Sequence, residues 1–128
     1  MRRMTMLAAV VAATMPLAAQ AAPPKGVWTN PARSVRVAFQ RCGDAMCGKV
    51  VWANPKAQAD AGGGLVGQML FQDFVEEERG LWSGSVLIPD LGQNVSGTIE
   101  QVDANTLVGE GCLIGRLGCK EQVWKRVR

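Results

Sequence analysis

The chain has 128 residues, a formal net charge of +3 and no histidine. That length suits one domain with a modest core. The missing histidine excludes Ser-His-Asp and Cys-His catalysis and most catalytic zinc sites.

Residues 1–21 read as a secretory signal. Met1-Arg2-Arg3 is basic, and Leu7 to Ala19 run apolar with breaks at Thr14 and Pro16. Ala19-Gln20-Ala21 then offers small residues where a signal peptidase cuts. The apolar run falls short of the roughly 20 residues that span a bilayer. A soluble mature chain, periplasmic or secreted, is expected from Ala22, with residues 22–128 forming a single domain. Arg2 and Arg3 leave with the signal, so that chain is nearly neutral. A nearly neutral chain with no long basic stripe gives no electrostatic case for nucleic-acid binding.

Beyond Ala22, short runs alternate apolar and polar residues. Val35, Val37 and Phe39 alternate with Ser34, Arg36 and Gln40. Trp82, Gly84, Val86 and Ile88 alternate with Ser83, Ser85 and Leu87, and Val95, Gly97 and Ile99 with Ser96, Thr98 and Glu100. This period of two predicts half-buried strands. Asn54 to Gly64 reads as a loop, its three glycines weighing against a helix. Pro89-Asp90-Leu91-Gly92 reads as a type I turn and Asp103-Ala104-Asn105 as a tight connection. About eight strands at 8–12-residue spacing predict an all-β fold, a small antiparallel up-and-down barrel that closes to remove its edges. Gly84, Gly97, Gly109 and Gly111 suit bends or bulges at barrel corners.

Four cysteines in an exported chain predict two disulfides, with three connectivities open. Cys42 with Cys47 and Cys112 with Cys119 are favoured, because each pair flanks a glycine-containing turn between strand-like runs. A four-thiolate zinc site fits poorly, since the intervening stretches are longer than the common two residues. No metal or cofactor is expected.

The order of Gly26-Val27-Trp28, Met46-Cys47-Gly48-Lys49-Val50-Val51-Trp52, Leu65-Val66-Gly67, Trp82-Ser83-Gly84, Pro89-Asp90 and Val123-Trp124-Lys125-Arg126-Val127 resembles the bacterial domain-of-unknown-function family numbered 2147. The resemblance covers nearly all of the mature chain. It implies an exported barrel of lipocalin-like, calycin-like shape and implies no activity. The chain departs from that pattern in its compressed Asp60-Ala61-Gly62-Gly63-Gly64 segment and in Ile88, where the family tends to carry tyrosine. Gly26-x-Trp28 also looks like the opening of lipocalins, in which a final-strand arginine covers the tryptophan. Arg126 is the candidate partner; the sequence equally allows Trp28 as a plain core residue and Arg126 as a surface charge.

Two functions are carried forward, neither of them enzymatic. In the first, Trp52, Met69, Phe71 and Trp82 line a barrel interior that binds a small apolar or amphipathic ligand near the Asn54–Gly64 segment. In the second, the exposed Asp44-Ala45-Met46 and Leu113 to Gly118 loops contact an envelope protein, as an inhibitor or accessory factor would. Asp73, Glu76, Asp90 and Glu110 are available carboxylates, but their spacing places no two in one cleft.

Overall fold

The computed structural model describes residues 22–114 and 117–128. Eight antiparallel strands close into a barrel in chain order. They are β1 (Val27–Thr29), β2 (Val35–Cys42), β3 (Ala45–Ala53), β4 (Met69–Glu78), β5 (Leu81–Ile88), β6 (Gln93–Asp103), β7 (Thr106–Ile114) and β8 (Leu117–Arg126). The expected all-β meander is therefore the fold. The signal-like segment lies outside the described residues.

Period-two patterning explains the regular strands. In β6, Val95, Gly97 and Ile99 are buried while Ser96, Thr98 and Glu100 are exposed. The Pro89-Asp90-Leu91-Gly92 turn forms, closed by the Gly92 N–H donating to the Pro89 carbonyl at 3.3 Å, and overlaps a turn closed by the Leu91 N–H on the Ile88 carbonyl at 3.1 Å.

The barrel interior is filled with side chains. Phe71 stands at its centre, with ring centroids 5.5 Å from Phe39, 5.8 Å from Phe74 and 5.5 Å from Trp124. Such aromatic pairs contribute about 0.5–1.5 kcal/mol each beyond area burial. Glycines make the room. A Cβ on Gly48 would sit 2.6 Å from the Phe71 ring, and one on Gly84 would sit 2.6 Å from Phe74. Gly84, Gly97 and Gly111 are paired in one row across β5, β6 and β7, beside Phe74, Val86 and Val95.

The Asn54–Gly64 segment corrects the loop expectation. Pro55–Asp60 is a short helix, α1. Asn54 is its N-cap, accepting from the Ala57 N–H at 2.8 Å, and Pro55 opens the first turn. Gly62, Gly63 and Gly64 fall after the helix, with positive φ, so they end it rather than prevent it. Ala57 and Ala61 pack on the core, and the following Leu65 is fully buried against it. This helix and Leu65 therefore stopper the barrel end at which the β3–β4 connection lies.

Both favoured cysteine pairs are joined. Cys42–Cys47 ties the β2–β3 hairpin with its Cα atoms 5.9 Å apart, and Cys112–Cys119 ties β7 to β8 at 4.0 Å. No helix among the described residues is long and apolar enough to cross a membrane.

Candidate functional site

The four residues expected to line an interior site are not brought together there. Phe71 and Trp82 are buried core residues, and Met69 is half-buried at the start of β4. Trp52 lies on the outer face, 39% exposed. The cause is a single inserted residue. Val37 pairs with Val50 and Arg36 with Trp52, which leaves Val51 as a β-bulge. A bulge shifts the phase of a strand by one residue, and every later side chain then changes face. Simple alternation from the buried Val50 would have pointed Trp52 inward.

The outward Trp52 belongs to a row that crosses five strands. Thr106 pairs with Lys125, Lys125 with Thr29, Thr29 with Arg36, and Arg36 with Trp52. Directly paired residues share a face of the sheet. The Arg36 guanidinium sits 4.7 Å above the Trp52 ring centroid, a cation–π contact worth about 0.5–1 kcal/mol at an exposed site. The Lys125 ammonium donates to the Thr106 hydroxyl at 3.0 Å. Nearby, the Asn105 backbone N–H donates to Asp103 at 2.8 Å and holds its carboxyl below the usual carboxylate range. The Thr106 hydroxyl and, more weakly, the Lys125 charge act in the same direction.

Trp28 is wholly buried, and its indole N–H has no hydrogen-bond partner. Arg126 stands opposite it across the β1–β8 pairing. Among the described residues the cation–π contact is that of Arg36 with Trp52, while Arg126 places its Nε against Gly26, 2.7 Å from where a Cβ would stand. Gly26 also has φ +94°, so both space and backbone call for glycine.

The barrel closes across a narrow seam. β1 pairs with β8 through Trp28–Arg126 and Thr29–Lys125, extended by the Val27 N–H to the Arg128 carbonyl and the Val127 N–H to the Val27 carbonyl. After Thr29 the chain leaves the sheet as the β1–β2 loop. Asn30 shapes that loop, its side-chain oxygen accepting from the Ser34 and Val35 N–H groups at 2.9 and 3.1 Å. Between this loop and β8 lies an open cleft of about 350 Å³. Arg33, Arg36, Lys125 and Arg126 line it, with Pro31, Val123 and Val127 as its apolar wall. A second hollow of about 70 Å³ lies beside Arg41, Met46 and Trp82.

One group of metal-type ligands occurs among the described residues, Glu110 with Cys112 and Cys119. Its sulfurs form the β7–β8 disulfide, and metal binding needs thiolates. Asp73 sits in β4 with φ +55° at a register shift, an explanation that needs no catalytic role.

These features define a class: a small, closed, disulfide-bonded meander barrel with a packed interior and a cationic cleft at its seam. The chain belongs to the bacterial family described as "Uncharacterized protein conserved in bacteria (DUF2147)", whose family model matches residues 26–126. Searches of curated proteins and of solved structures returned no match.

Proposed function

We propose that this protein is an exported, non-enzymatic binding module that holds a small amphipathic molecule in the seam cleft, on the outside of its barrel. The observation that carries this reading is the location of free volume. The interior is occupied by Phe71 and its aromatic neighbours, and Leu65 stoppers one end. The cleft between the β1–β2 loop and β8 is by contrast within the range of about 300–1,000 Å³ typical of small-ligand sites. Its mixed lining of cations and valines suits a molecule with one polar and one apolar part. The signal-like start and the two disulfides support an oxidising, exported location. The absence of histidine supports a binding role over a catalytic one.

The test uses the mature protein and N-phenyl-1-naphthylamine, a neutral amphiphile whose fluorescence rises on binding. Emission is expected to rise with wild type and with the interior variant Trp82→Phe, and to fall by most of its amplitude with Val123→Asp. Loss in Trp82→Phe with retention in Val123→Asp would move binding into the barrel. No enhancement, with an envelope protein co-purifying instead, would favour a protein-interaction module.

A further inference from the structure

The geometry points to an anionic group, a phosphate monoester or diester, as the polar part of the ligand, held by the guanidinium groups of Arg33 and Arg36. This inference rests on the reading above, that the seam cleft is the binding site, and names the chemistry it recognises.

Charge is the first argument. Four of the nine residues lining the cleft are cationic and none is acidic. Lys56 pairs with Asp60 on α1, and among the described residues no carboxylate pairs with Arg33, Arg36 or Arg126. Like charges gathered in one concavity repel each other and raise the local concentration of anions. The mature chain is nearly neutral, so this concentration of charge is local. Barrel closure produces it by bringing residues 33 and 36 beside residues 125 and 126.

Backbone conformation is the second, independent argument. Arg33 has φ +54°, in the left-handed region that favours glycine or asparagine. Its N–H donates to the Asn30 carbonyl at 3.0 Å, closing a turn over Pro31 and Ala32 that Arg33 follows. Glycine would satisfy that turn without strain. Asp73 has a similar φ at a register shift of β4, but Arg33 lines the cleft, so the cost of its conformation falls where its charge can meet a ligand.

Preorganisation is the third. The Arg36 guanidinium carbon lies 4.7 Å from the Trp52 ring centroid, a contact that restrains where the guanidinium can go. Planar guanidinium forks match phosphate oxygens in a way that ammonium groups do not. Lys125 already donates to Thr106 and Arg126 turns its Nε toward Gly26, so Arg33 and Arg36 are the principal donors. Val123 and Val127 then lie where a short alkyl group attached to the phosphate would run.

The experiment is calorimetric titration of the mature protein with hexyl phosphate and with hexanol, alongside flotation with phosphatidylglycerol and phosphatidylcholine vesicles. Hexyl phosphate is expected to bind at least tenfold more tightly than hexanol, and progressively less tightly as salt is added. Arg33→Gly is expected to lose at least tenfold in that affinity while its melting temperature holds or rises, which no merely structural arginine would do. Arg36→Gln is expected to weaken binding likewise, and the exposed turn variant Arg79→Gln to leave it unchanged. Retention on phosphatidylglycerol but not phosphatidylcholine vesicles identifies a lipid headgroup as the source; binding of hexyl phosphate with neither vesicle retained identifies a soluble phosphate ester. Equal binding of hexanol and hexyl phosphate, or an unchanged affinity in Arg33→Gly, overturns the anion assignment and leaves the cleft as a binding site. Failure of both ligands and of the naphthylamine probe overturns the cleft itself.

Discussion

The inner wall around Phe71 and the outer row through Arg36 belong to the same strands, yet they carry opposite properties. Inside, three phenylalanines and three tryptophans fill the space that Gly48 and Gly84 leave open. Outside, Lys125, Thr29, Arg36 and Trp52 form a charged row beside an open cleft. A sheet one residue thick thus separates a packed core from a charged surface. Substitutions on the inner face are expected to change stability, and those on the outer seam to change binding.

The largest effect is expected inside. Gly48→Val places carbon within van der Waals contact of Phe71, Val37 and Phe39 at once. Overpacking of this kind costs about 1–3 kcal/mol, and removing the ring instead, in Phe71→Ala, costs about 3–5 kcal/mol. Urea denaturation should rank both far below wild type. If Phe71→Ala unfolds at the wild-type midpoint, the interior is not the source of stability.

Next come the hairpin staples. Replacing Cys42 and Cys47 together by serine is expected to cost about 2–2.5 kcal/mol, the loop-entropy value for so short a bridge. Because the pair lies on the β2–β3 hairpin, away from the seam cleft, binding should survive in the fraction that folds. Lost binding in a folded double variant would break the separation of the two faces.

The smallest effect on stability is expected on the outer row. Trp52→Ala removes a half-exposed ring and a cation–π contact, a loss of about 1 kcal/mol or less. It also frees the Arg36 guanidinium, so affinity for hexyl phosphate should fall severalfold in calorimetry. A large stability loss with unchanged affinity would reverse the roles assigned to the two faces.

How far each region could be read from sequence follows from the same division. β6 was legible because Val95 to Glu100 alternate without interruption and one face is buried. The cysteine pairs were legible because hairpins bring chain neighbours together. Trp52 was not, because the bulge at Val51 has no glycine or proline to announce it. The helix Pro55–Asp60 carries its own signal in Asn54-Pro55, an N-cap followed by proline, which the three glycines after it obscure. The cleft was the least legible feature. Its cations lie in two short stretches at opposite ends of the domain, and only closure of β1 on β8 brings Lys125 beside Arg36. A linear search for a basic stripe misses a site assembled this way.

The four tryptophans give the most direct test of the division, since Trp28, Trp82 and Trp124 are buried and Trp52 is not. In a ¹⁵N–¹H spectrum each indole N–H gives a separate resonance. Titration with hexyl phosphate should move the Trp52 resonance and leave the other three in place. Movement of Trp28, Trp82 and Trp124 with Trp52 unmoved would put the ligand inside the barrel and contradict the account.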